Sequence, residues 1–176
     1  MSEEEKSYIF KIVVVGDGAV GKTSLIKQYT EGSFVKDYIK TIGAQFSKYI
    51  EEIEDVQVKL FFWDIAGQSE FSFMRPTFYK GAKAVILVYS LIDSQSFNSI
   101  KIWHEDIKKF CGNIPILIFG NKVDLVNENE LDDSKINALK DKIGFIKYYK
   151  TSAKTGKNVY DAFRCIIKEL YDSVKE

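Results

Sequence analysis

The run Gly16-Asp17-Gly18-Ala19-Val20-Gly21-Lys22-Thr23-Ser24 puts glycines, a lysine and hydroxyls at the spacing G-x-x-x-x-G-K-[ST]. A polyphosphate needs many donors in a small concave space. Backbone N–H groups supply them, and Gly16, Gly18 and Gly21 let the chain approach without Cβ clashes. A helix opening at the end of the loop adds positive potential. In this pattern Lys22 reaches the β- and γ-phosphates and the Thr23 hydroxyl binds Mg²⁺.

Two further clusters narrow the chemistry. In Asn121-Lys122-Val123-Asp124, the carboxylate of Asp124 can accept two parallel N–H bonds. Guanine offers N1–H and N2–H₂ side by side; adenine lacks the pair, and an unmatched carboxylate rejects it. Taken alone the motif also reads as a capped turn after a strand; beside the phosphate loop it reads as a guanine site. In Asp64-Ile65-Ala66-Gly67-Gln68, Asp64 would hold Mg²⁺ through water, the Gly67 N–H would meet a γ-phosphate, and Gln68 would orient attacking water. Asp-x-x-Gly by itself is usually just a turn.

These clusters need elements that bring them together. Tyr8 to Val15 reads as a central strand, apolar on both faces at its end, followed by the glycine loop and a helix through Leu25, Ile26 and Tyr29 that stops at Gly32. Phe46–Ile53 and Val56–Trp63 read as an antiparallel pair turning at Glu54 and Asp55. Buried strands are predicted at Ala84–Tyr89, Ile114–Phe119 and Phe145–Tyr149. Between and after them lie helices: one with the stripe Ile100, Trp103, Ile107, Phe110 ending at Gly112, one capped by Ser134 and stopped by Gly144, and a last one carrying Val159 to Leu170. This alternation implies a mostly parallel sheet with helices on both faces and a ligand crevice at the carboxyl ends of the strands.

Composition sets the outer bounds. The chain has 176 residues, 45% hydrophobic and 14% aromatic, enough for one packed domain. Lys and Arg total 25 against 25 Asp and Glu, which argues against a protein that grips nucleic acid or anionic lipid by charge alone. Cys111 and Cys165 make no Cys-x-x-Cys pair, so a reducing cytosol is the expected compartment and a disulfide scaffold is not. The start of the chain shows no signal stretch and no myristoylation glycine, and no apolar run approaches the ~20 residues of a membrane helix.

From Tyr8 to Tyr171 the chain resembles a Ras-superfamily small GTPase, nearest to the Rab branch, with five guanine-nucleotide motifs in order. The resemblance implies a three-layer α/β phosphate-loop NTPase G domain over residues 1–176, with 1–6 as a flexible N-terminal extension. Its sheet is expected to hold six strands, one of them antiparallel, and the protein is expected to act as a monomer. The resemblance makes Thr41 the switch I threonine that binds Mg²⁺ and γ-phosphate, adds Tyr38 to the nucleotide contacts, and makes Ser152-Ala153-Lys154 the last base-binding loop. Phe34 would pack edge-on against guanine, with Lys122 along its other side. Phe46, Trp63 and Phe78 match a hydrophobic triad read by effectors, and an exchange factor and an activating protein are implied as partners at the switches. The departures are specific. Gly16-Asp17-Gly18-Ala19 is closer to Rho or Ran, Asp124 and Ser152 are too close for a Rho-type insert, Ile65 replaces a usual threonine, and Ser69-Glu70 replaces a usual Glu-Arg. No cysteine stands near the C-terminus for a prenyl anchor, so vesicle trafficking and attachment to cytosolic membrane faces follow from the resemblance alone.

Arg75 and Arg164 are the two arginines, and neither lies in switch I. Slow hydrolysis is therefore expected, since a finger supplied in trans speeds Ras-type turnover by roughly 10⁵-fold. A phosphate-loop kinase, which commonly uses lid arginines, and a GTP-holding scaffold without turnover stand as the alternatives. His104, among Trp103, Glu105 and Asp106, reads as a boundary residue rather than a catalyst.

Overall fold

The computed structural model describes residues 6–36 and 40–175. Tyr38 and the expected extension, apart from Lys6, lie outside the described residues. β-Branched and aromatic residues build β1 (Ser7–Val15), β2 (Ala44–Ile53), β3 (Val56–Ile65), β4 (Ala84–Ser90), β5 (Ile116–Asn121) and β6 (Lys147–Thr151). They form a six-stranded sheet in the order β2-β3-β1-β4-β5-β6. β2 is antiparallel to β3 and the other pairings are parallel. The hairpin closes at Ile53↔Val56, with Glu54 at φ 50° and Asp55 at φ 63°, the two left-handed residues that a two-residue turn of matching twist requires.

The helices are α1 (Lys22–Glu31), α2 (Arg75–Tyr79), α3 (Ser94–Asn98), α4 (Ile100–Cys111), α5 (Ser134–Ile143) and α6 (Val159–Lys175). The period-two alternation of β1 divides the core. Ile12 and Val14 pack with Leu25 of α1 and Phe163 and Ile166 of α6. Val13 and Val15 pack with Trp103 and Ile107 of α4 and Ile136 of α5. Every residue of β4 is buried, as its unbroken apolar run predicts.

Several boundaries differ from expectation. β5 begins at Ile116 because Pro115 has no N–H, though its carbonyl still accepts from Val85 N at 2.9 Å; it runs on to Asn121, which is a strand residue and not the start of a loop. β6 is displaced two residues, to Lys147–Thr151. Ser134 is the first residue of α5 and not its cap: its N–H is taken by Asp132 Oδ1 at 2.9 Å. Phe110, placed on the buried stripe of α4, is 38% exposed at its end, stacked on Tyr79. Three short elements lacked a periodic signal: a 3₁₀ turn over Ser69–Met74, α2 directly after it, and α3, whose cap Asp93 accepts from Gln95 N and Ser96 N. Among the described residues no helix is long and apolar enough to cross a membrane.

The consequence for function is geometric. Parallel strands β1, β3, β5 and β6 end on one edge of the sheet and deliver Gly16, Asp64, Asn121 and Thr151 to the same crevice.

Candidate active site

The phosphate loop leaves β1 and turns into α1. Gly16 sits at φ 144°, and a Cβ there would stand 2.1 Å from the carbonyl oxygen of Val88, so the turn excludes any side chain. Lys22 is 6% exposed, with its Nζ donating to the carbonyls of Gly16 and Asp17 at 2.8 Å each. Burial lowers its pKa to about 8 against the opposing pull of Asp64 and Asp17, and the Arg75 charge adds slightly to the lowering.

A cavity of about 350 Å³ opens over Gly18, Ala19, Gly21, Lys22, Thr23 and Ser24 and continues to Thr41, Asp64, Gly67 and Gln68. Inside it, Thr23 Oγ1 lies 3.2 Å from Thr41 Oγ1 and donates to Asp64 Oδ2, while Thr41 Oγ1 stands 3.4 Å from the same carboxylate oxygen. Asp64 is 2% exposed; burial raises its pKa, opposed by Lys22 and by both threonine hydroxyls. Its Oδ1 is buried with no hydrogen-bond partner. Two hydroxyls and a carboxylate with an unspent oxygen make a hard-oxygen donor set that fits Mg²⁺.

Gly67 lies flat on the phosphate loop: a Cβ there would come within 2.4 Å of Asp17 C, Gly16 O and Gly18 N. Next to it, the Gln68 amide covers Gly18, whose Cβ would meet Nε2 at 2.8 Å. The segment Asp64 to Gln68, expected to serve Mg²⁺ and a γ-phosphate, thus lies against the phosphate loop.

The residues expected to read a base assemble beside the loop. Asn121 is 1% exposed; its Nδ2 donates to Val20 O at 2.9 Å, and its Oδ1 accepts from Thr151 Oγ1 at 3.1 Å and Ala153 N at 3.3 Å. Lys122 takes a left-handed φ of 69° and donates to Ala19 O at 2.7 Å. Asp124 is exposed, and Ser152, fully buried, donates to its Oδ1 at 2.7 Å and so orients the carboxylate. Lys154 is exposed beyond them. Phe34 is 39% exposed after α1, and the cavity takes in its neighbour Val35 instead.

Phe46, Trp63 and Phe78 form a ring cluster, with centroids 5.4 Å apart for Phe46 and Trp63 and 5.8 Å for Trp63 and Phe78. Sequence reasoning overlooked two contributors. Lys40 lines the cavity and pairs across the switches with Glu70, and Trp103, read as core, donates its indole N–H to Asp17 in the phosphate loop at 2.8 Å. No local pattern in the sequence points to either contact.

A glycine loop feeding a helix at the carboxyl edge of a mostly parallel sheet, with a buried lysine and a buried polar strand end beside it, defines a phosphate-loop nucleotide-binding domain. The Ras family model matches residues 11–172. GTP-binding protein YPTM1 of Zea mays is 38% identical over 90% of this chain and 76% of its own length. GTP-binding protein yptV5 of Volvox carteri is 36% identical over 98% and 87% of the two chains. Ras-related protein RABD2a of Arabidopsis thaliana is 38% identical over 90% and 78%. The chain belongs to the Ras family. It is a small GTP-binding protein and a GTPase, a switch that works with regulators and effectors.

Proposed function

We propose that this protein is a Rab-like switch of membrane trafficking, one G domain over residues 1–176, that binds GTP with Mg²⁺ and hydrolyses it slowly. The observation that carries this reading is the meeting of Thr41 with Thr23 and Asp64, 3.2 Å and 3.4 Å away, because it draws switch I to the end of the phosphate loop. Thr23, Thr41 and Asp64 would hold the metal, which when bound neutralises charge on the β- and γ-oxygens. Lys22 and the backbone N–H groups of residues 16–24 hold the phosphates, and Asp124, kept in place by Ser152, accepts the two guanine hydrogens.

In the reaction, water positioned by Gln68 attacks the γ-phosphorus in line. The bond to the β–γ bridging oxygen breaks and GDP leaves with that oxygen. Lys22 and the Gly67 N–H stabilise the developing charge. Loss of the γ-phosphate frees the Thr41 and Gly67 segments, and that rearrangement is what partners at Phe46, Trp63 and Phe78 sense. Switch I contains no arginine, so fast turnover requires an activating protein. Ile65, the departure from the usual family threonine, is 1% exposed in the core and does not line the cavity.

The test is chromatographic identification of the nucleotide that co-purifies, followed by a slow phosphate-release assay with GTP and Mg²⁺. The expected result is bound guanine nucleotide and a slow, metal-dependent release of phosphate. Adenine nucleotide in the purified protein, or transfer of phosphate to a second substrate, would refute the reading.

A further inference from the structure

Backbone contact explains how Gly67 fits on the phosphate loop but not what keeps it there. The side chains around it do. Asp17 Oδ1 accepts from Trp103 Nε1 at 2.8 Å, tying the loop to α4, where Trp103 is 2% exposed. Over the face of that indole lies Arg75, the first residue of α2, with its guanidinium carbon 4.0 Å from a ring centroid. Arg75 Nη1 donates to Asp106 Oδ2, one turn further along α4, at 3.1 Å, and Nη2 reaches the carbonyl oxygen of Gly67 at 3.5 Å. The contacts close on themselves: Gly67 rests on Asp17, Asp17 holds Trp103, Trp103 carries Arg75, and Arg75 returns to Gly67.

This ring is built as an anchored clamp and not as a surface contact. Arg75 is 8% exposed, and a desolvated cation over an indole is held more strongly than an exposed one. Its planar fork makes the stack, the ion pair and the reach to a carbonyl compatible in one residue, which lysine could not match. Asp106 is the carboxylate that meets the cation, on the same helix as the indole, so both supports of Arg75 share one rigid element.

We propose that Arg75, seated on Trp103, is a positioning residue for GTP hydrolysis: it clamps the Gly67–Gln68 peptide onto the phosphate loop, and the Asp17–Trp103 hydrogen bond is the other half of the clamp. This rests on the reading that Gly67 and Gln68 serve the γ-phosphate. GDP has no γ-phosphate, so its binding draws little on the clamp.

The test compares full-length Arg75→Gln, Arg75→Lys and Trp103→Phe proteins loaded with GTP and Mg²⁺. Single-turnover hydrolysis, GDP affinity and urea unfolding are measured for each. Trp103→Phe keeps a ring under the guanidinium and removes the N–H, so it remains informative if Arg75→Gln fails to fold. Hydrolysis should slow by roughly ten- to a hundredfold in Arg75→Gln and Trp103→Phe, the scale of a displaced reacting group, with Arg75→Lys in between. GDP affinity should stay within about twofold, and the double variant Arg75→Gln/Trp103→Phe should be no slower than the slower single one, because a ring breaks once. Hydrolysis unchanged in both single variants overturns the inference. So does a fall in GDP affinity equal to the fall in rate, which would mean general loosening. A wild-type protein that releases no phosphate from GTP overturns the hydrolytic reading together with the clamp; a hydrolysing wild type with unaffected variants overturns the clamp alone.

Discussion

Lys22 makes a prediction that links a proton to the nucleotide. Its ammonium is buried against two carbonyl oxygens at 2.8 Å, and burial brings its pKa from the ordinary 10.5 to about 8. A polyphosphate binds the ammonium and not the neutral amine, so the nucleotide must restore the proton wherever the empty site has lost it. With a pKa of about 8 in the empty site, the dissociation constant for GDP with Mg²⁺ rises about fourfold between pH 7 and pH 8.5. Over the same range the protons taken up on binding rise from about 0.1 to about 0.8. Titration calorimetry in buffers of different ionisation enthalpy measures both quantities, and stopping at pH 8.5 leaves most of the guanine N1–H in place. A flat affinity with no proton uptake at pH 8.5 would refute the reasoning. The same shift has a stability consequence of defined sign. Lys22 has the lower pKa in the folded state, so the unfolded chain binds more protons between about pH 8 and 10.5. The nucleotide-free protein gains stability from this residue as pH rises through that window, because the cost of a buried ammonium is relieved.

Three substitutions test the other contacts. Asp124→Asn should weaken GTP binding on the order of a hundredfold by removing a charged acceptor, while admitting xanthosine triphosphate, whose base carries a carbonyl where guanine carries the amine; equilibrium titration with both nucleotides decides it. Gln68→Leu should leave nucleotide affinity within about twofold and slow single-turnover hydrolysis by tenfold or more, since water positioning is lost and binding is not. Unchanged rates with and without an activating protein would contradict the role. Gly67→Ala places a Cβ 2.4 Å from three phosphate-loop backbone atoms, so the peptide must retreat. Hydrolysis and GTP affinity should fall with GDP affinity nearly intact, as competition binding of the two nucleotides will show.

The phosphate loop, the hairpin turn and the placement of Asn121 and Asp124 beside that loop were legible because each depends on local chemistry: glycine where a side chain would strike a carbonyl, two turn residues between alternating strands, a carboxylate at fixed distance from an asparagine. The end of β5 was not. Asn121 reads as loop because it is polar, yet it is 1% exposed in the sheet, where its amide satisfies the carbonyl of Val20 and its oxygen serves Thr151 and Ala153. Polarity signals a loop only when the group has no buried partner, and that partner is supplied by tertiary structure. Ser69–Met74 and α2 were illegible for the opposite reason. Phe73 is 78% exposed there, so apolar residues do not mark a buried face and no period emerges. The Asp17–Trp103 contact joins residues 86 apart, and Trp103 looks identical in sequence whether its indole N–H meets the phosphate loop or only core.

The two halves of the crevice are built differently, and the difference matches what a switch must do. On the proposed base side Asn121, Thr151 and Ser152 are at most 1% exposed; Asn121 is hydrogen-bonded to Thr151 and to the phosphate loop, and Ser152 to Asp124, so buried polar contacts at the sheet edge fix these groups. On the phosphate side Thr41 follows the exposed Lys40, and Gln68 precedes a 3₁₀ turn in which no residue is buried. Apart from the Arg75 contact with Gly67, few buried contacts hold these parts, and segments of that kind open at low free energy. A domain with both halves preformed would keep one conformation with either nucleotide. A domain with both halves loose would lose affinity to ordering. On the proposed reading, placing buried polar stitching under the base and leaving the γ-phosphate side to a few contacts would keep the nucleotide bound through hydrolysis while one phosphate decides the arrangement of both loops.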